Sequence, residues 1–138
     1  MAIGFKVKYY WYQIGASDFL HSFFSTVCFY LENGNWGSKY PHIMKSLYGG
    51  ELTYEDVGKA LNELVEIKTK LQNYSPEKVI WDIEDLSAKP PWKDNISIHI
   101  TNLSNYFITS DGADFLSMLE TALEKAKSLK TSLRIETI

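Results

Sequence analysis

Lys78-Val79-Ile80-Trp81-Asp82-Ile83-Glu84-Asp85-Leu86-Ser87-Ala88-Lys89-Pro90-Pro91-Trp92-Lys93-Asp94-Asn95 is the stretch whose reading decides the architecture. Val79, Ile80, Trp81 and Ile83 are β-branched or aromatic and follow the break at Ser75-Pro76, so the first third reads as a buried strand. Pro90-Pro91 cannot continue it: both lack an N–H and both fix φ, which leaves Trp92 on a stiff, extended loop. Three carboxylates lie between the two indoles and a fourth, Asp94, follows Trp92. One reading is structural, with Asp82 facing solvent, Asp85 capping a turn and Trp92 covering the rim of the core. The other is an acidic, aromatic docking face of Asp82, Glu84, Asp85, Trp92 and Asp94, because Trp supplies contact area and carboxylates steer a basic partner.

On the N-terminal side, Val57, Ala60, Leu61, Leu64, Ile67 and Leu71 recur at helical spacing, and Thr53 with Asp56 has the pattern of a capping box with Asp in place of Glu. Pro41 opens a short helix through Ile43, Met44 and Leu47 that ends at Gly49-Gly50, after the turn cluster Asn33-Gly34-Asn35-Trp36-Gly37. Phe19, Leu20, Phe23, Phe24, Val27, Cys28 and Leu31 give a further helix a broad apolar face, with its start at Ala16-Ser17-Asp18. Ahead of it, Ile3, Phe5, Val7, Tyr9 and Trp11 share one parity, the period of a single half-buried strand ended by Ile14-Gly15.

On the C-terminal side, Ile96, Ile98 and Ile100 alternate with polar residues and Tyr106-Phe107-Ile108-Thr109 is apolar, so one or two strands are expected there. Phe115, Leu116, Leu119, Ala122, Leu123 and Ala126 form the inner face of a helix that starts at Ser110-Asp111-Gly112 and ends near Lys130; Leu133, Ile135 and Thr137 alternate as a last strand. The element order predicts an α+β fold, a mainly antiparallel sheet of three to five strands with helices packed on one side. Phe19, Phe23, Trp81, Leu119 and Leu123 are expected in the core.

A chain of 138 residues, 45% hydrophobic and 22% charged, is expected to fold as one globular domain spanning 1–138. The net charge of −3 divides into +2 over residues 1–50, −4 over 51–94 and −1 over 95–138, which argues against direct nucleic-acid binding. Cys28 is the only cysteine, so no intramolecular disulfide forms and a reducing cytoplasm is the expected setting. No stretch has the uninterrupted apolar length of a membrane span, and no signal peptide is read at the N-terminus.

Catalytic motifs are absent: there is no Gly-rich phosphate loop, no His-Glu-x-x-His, no Gly-x-Ser-x-Gly and no cysteine pair. His21, His42 and His99 come from separate elements without ligand spacing, so no metal, cofactor or catalytic residue is assigned. The alternative to a binding protein is a small enzyme or ligand-binding domain with a pocket near His99 and Asp82.

Three blocks carry a family resemblance: Gln13 through Ser25, then Val79 through Leu86 with Pro90-Pro91-Trp92, then Leu103 through Phe107 with Thr109-Ser110. Together they resemble the immunity protein 70 family of bacterial polymorphic toxin systems, over nearly the whole chain. The resemblance implies a small cytoplasmic α+β protein that is no enzyme, that binds a cognate toxin domain, a nuclease-type toxin being expected, and that protects the producing cell. It transfers no catalytic residues.

Overall fold

The computed structural model describes residues 2–92 and 95–137. Ile3, Phe5 and Val7 alternate as expected, but the strand stops at Val7 and turns back. β1 (Ile3–Val7) and β2 (Tyr10–Gly15) form a hairpin in which Val7 faces Tyr10 across a two-residue turn. Lys8 takes the left-handed conformation there, at φ 56°, and Tyr9 is 85% exposed. The turn also shifts the phase, so that Tyr12 and Ile14, rather than Tyr9 and Trp11, share the core side with Phe5. Parity alone does not distinguish one long strand from two strands joined in this way. On the outer face, Trp11 lies over Gly4; a Cβ at Gly4 would fall 2.6 Å from the indole and 2.5 Å from the Tyr12 carbonyl oxygen, so only glycine fits.

α1 (Ser17–Leu31), a short π-helix (His42–Leu47), β3 (Glu51–Leu52), α2 (Tyr54–Leu71), a turn of 3-10 helix (Pro76–Lys78), α3 (Phe115–Leu129) and β4 (Leu133–Thr137) follow. The four strands make one antiparallel sheet in the order β2-β1-β4-β3. The fold is therefore α+β, as expected, although the sheet draws on different segments than the sequence suggested. β3 carries only two residues and was not foreseen. The core side of the sheet, with Phe5, Ile14, Leu52 and Leu133, packs against helices; the rings of Phe5 and Phe115 are 6.0 Å apart.

Phe19, Phe23, Leu119 and Leu123 are buried as expected, whereas Trp81 is only partly buried against the core. Cys28 is buried and its thiol is pushed up in pKa by burial, then by Glu32. The Thr53 side chain makes no capping bond, so the expected capping box does not form; only the Thr53 carbonyl accepts from Asp56 N, at 3.0 Å. Asp114 caps α3 instead of Ser110-Asp111-Gly112, accepting from Ser117 N at 3.1 Å, and Lys130 ends that helix in the left-handed conformation.

The strand expected at Val79–Ile83 and the one or two expected between Ile96 and Thr109 do not form. Val79–Ile83 forms no ladder, nor does Ile96–Ile100, and Tyr106–Thr109 makes only an isolated bridge between Ile108 and Asp114. Local side-chain acceptors explain the last two. Ser97 Oγ takes His99 N at 3.2 Å while its carbonyl takes Ile100 N at 3.0 Å, and Thr109 Oγ1 takes Ala113 N at 2.9 Å, which turns the backbone away from any neighbouring strand.

Candidate functional site

The sequence places an apolar face on α1 and a polar face opposite. Ser22, Ser25 and Thr26 lie on that second face, at helical spacing, yet all three are fully buried. What covers them is the segment from Lys78 to Ile83, and their hydroxyls serve its backbone as a neighbouring strand would. Ser22 Oγ donates to the Ile80 carbonyl at 2.8 Å, and Thr26 Oγ1 donates to the same carbonyl at 3.2 Å while accepting from Ile80 N at 3.1 Å. Ser25 Oγ accepts from Ile83 N at 3.1 Å, and the Tyr30 hydroxyl donates to the Lys78 carbonyl at 2.7 Å. Buried backbone groups need partners, and here a helix surface provides them. The β-branched run is thus a strap across α1 and not a strand of the sheet.

The strap is fixed at its far end by Asp82. Its Oδ1 accepts from Glu84 N at 2.9 Å and lies 3.2 Å from His21 Nε2, while His21 Nδ1 lies 2.6 Å from the Tyr48 hydroxyl. A neutral imidazole with its proton on Nε2 satisfies both contacts, donating to Asp82 and accepting from Tyr48. Trp36 packs against both rings, its centroid 6.1 Å from that of His21 and 5.0 Å from that of Tyr48. The Glu84 N–H, and after it His21, hold the Asp82 carboxyl below the usual carboxylate range. Burial, and then the charges of Glu84 and Asp82, push the Tyr48 hydroxyl above its ordinary pKa.

From Asp82 the chain makes an exposed loop whose ends meet at an edge-to-face contact of Trp81 and Trp92, centroids 5.5 Å apart. Glu84, Asp85 and Leu86 are exposed on it. Asp85 Oδ1 accepts from Ser87 Oγ at 2.6 Å and Ser87 N at 3.2 Å, and so turns the chain. Trp92 is 39% exposed and its Nε1 donates at 2.8 Å to the hydroxyl of buried Tyr106. Beside it opens a mainly apolar cavity of about 190 Å³, with Phe19, Ile96, Ile100 and Ile108 among its walls.

Of the five sequence-predicted site residues, four are therefore on one segment with distinct positions. Glu84 and Asp85 are exposed, Asp85 with its Oδ1 bonded to Ser87, Trp92 stands at a cavity mouth, and Asp82 is engaged internally. Asp94 lies outside the described residues. His99 is exposed, its N–H bonding Ser97 Oγ, and neither His99 nor Asp82 lines the cavity beside Trp92. His21, Tyr48 and Trp36 were missed as a group. The spacing Ser22, Ser25, Thr26 beside His21 was the available signal, since small hydroxyl residues in one stripe of a helix prepare it for polar backbone.

A family model described as Immunity protein 70 matches residues 5–135. The chain belongs to the immunity protein 70 family. The match takes in most of the hairpin, the strap and the Trp92 loop, and it assigns the chain, in general terms, to immunity proteins, whose partners are protein toxins. No curated protein and no solved structure matches the chain. Among the described residues no helix is long and apolar enough to cross a membrane, and no three His, Cys, Asp or Glu side chains group as metal ligands.

Proposed function

We propose that this immunity protein 70 member neutralises a cognate polymorphic toxin domain by stoichiometric binding in the cytoplasm, through the loop between Trp81 and Trp92. The observation that carries the proposal is the pairing of an exposed acidic turn, Glu84-Asp85, with an aromatic anchor, Trp92, at the mouth of an apolar cavity. Such a pairing is what a hot spot with a charged rim requires. Asp82 is a positioning residue in this reading, since its carboxylate is already committed to Glu84 N and His21. A nuclease-type toxin fits best, because a basic, phosphate-binding cleft is complementary to the carboxylates. The partner is the toxin protein, with no nucleic acid bound directly, and the immunity protein itself performs no catalysis.

Binding kinetics to the cognate toxin domain at two salt concentrations test this. Trp92→Ala is expected to cost about 2 kcal/mol or more of binding, mostly as faster dissociation. Neutralising Glu84 and Asp85 together, as Gln and Asn, is expected to slow association and flatten its salt dependence. Parental kinetics in both variants would place the interface elsewhere, with the polar face of α2 the next candidate.

A further inference from the structure

The sheet has two edges of different character. β3 is two residues long and carries Glu51, a short, charged edge of the kind that resists further pairing. β2 spans six residues and contains neither a charge nor a proline. Val7 and Tyr10 flank the hairpin turn and Phe5 lies opposite Tyr12, so these residues exchange the ladder bonds. The alternation then points the N–H and C=O groups of Trp11 and Gln13 away from the sheet. Among the described residues nothing bonds to these groups, and the outer side of β2 is closed only at Ile14, whose carbonyl accepts from Ser110 N at 3.0 Å. Trp11 Nε1 donates to Gln13 Oε1 at 2.9 Å and Gln13 Nε2 to Ser110 Oγ at 3.1 Å, which fixes the side chains of this edge.

We propose that β2 is the interface of a homodimer, in which a second copy adds its own β2 antiparallel and continues the sheet across a two-fold axis at Tyr12. In this register Trp11 of each copy lies opposite Gln13 of the other, so the outward-facing groups of both residues pair. A two-fold axis sets side chains near their own kind, and an uncharged strand meets that condition without repulsion. The same register carries the turn at Lys8 of one copy toward the start of α1 in the other, where Asp18 occupies the first turn, and toward Asp111 beside Ser110. Charge is complementary there, twice over. The proposal does not depend on the toxin surface.

Sedimentation velocity of the full chain across the micromolar range tests it, with Gln13→Pro as the variant. Proline removes an outward N–H that no intrachain bond uses, so the fold is expected to persist by circular dichroism while the dimer is lost. Lys8→Glu is expected to weaken the dimer and Lys8→Glu with Asp18→Lys to restore it. Hydrogen exchange of the unmodified protein, above and below its dissociation concentration, covers the case in which Gln13→Pro fails to fold: the Trp11 and Gln13 amides should be protected only at the higher one. A species of one-chain mass at every concentration, or a dimer that survives Gln13→Pro with its fold intact, would overturn the proposal. Monomers whose β2 amides become protected only on adding the toxin domain would overturn it too, and would give the edge to a toxin strand.

Discussion

Around Phe23 the molecule is held by rings: Phe115 lies 4.9 Å away, Phe24 5.3 Å and Phe107 5.5 Å, and no solvent reaches Phe23. Around Ile80, one helical turn away on the other face of α1, it is held by hydroxyls donating to and accepting from a backbone that has no strand beside it. The first kind of contact is non-directional and grows with buried area; the second is directional and its worth depends on each partner being present. A helix buried on both faces by these two means separates stability from presentation. The ring side fixes the fold, and the hydroxyl side fixes where the acidic loop and Trp92 stand.

That separation makes graded predictions. Phe23→Ala is expected to cost about 3–5 kcal/mol and to lower the melting temperature of the whole protein, because the cavity it leaves is lined by rings that cannot collapse. A melt indistinguishable from the parent would break the comparison at its strong end. Thr26→Val leaves the Ile80 N–H without its acceptor, while the carbonyl keeps Ser22, and is expected to cost about 1–3 kcal/mol. Limited proteolysis should show the loss concentrated between residues 79 and 92; uniform loss across the chain would mean the strap and the core open as one unit.

The smallest effect concerns pH. The Asp82 carboxyl is held below its ordinary value in the folded state, chiefly by the Glu84 N–H, so its contribution is present above the unfolded carboxylate pKa of about 3.9 and is lost as pH falls through the lower folded value. Asp82→Asn should therefore lower stability at neutral pH and flatten the acid-side loss, so that the two proteins converge as pH falls. Melts of both proteins at about pH 7 and about pH 3 check this.

The contrast also sets how much of the molecule was legible in the sequence. α1, α2 and α3 were read within a few residues, because Phe23, Leu64 and Leu119 repeat at a period that only a helix buries on one side. β4 was read for the corresponding reason, and β1 only as the first part of a longer strand that in fact turns back at Lys8. Val79–Ile83 was misread because its β-branched side chains do pack, while the partner for its backbone is a set of hydroxyls distant in sequence, which propensity does not record. Ile98 shows the limit of alternation: it is 90% exposed at a turn that Ser97 closes, its carbonyl accepting from Ile100 N and its Oγ from His99 N. The acidic loop was foreseen as a candidate, and its attachment through His21 and Tyr48 was not, because each contributes one residue from a separate element.

Hydrogen–deuterium exchange of the immunity protein, free and saturated with its cognate toxin domain, tests most directly whether the loop between Trp81 and Trp92 is the toxin surface. Protection on binding is expected at residues 84–92 and at the cavity walls Ile96 and Ile100, with the amides of α2 unchanged. Protection confined to the exposed face of α2, with the loop exchanging as fast as in the free protein, would contradict the account.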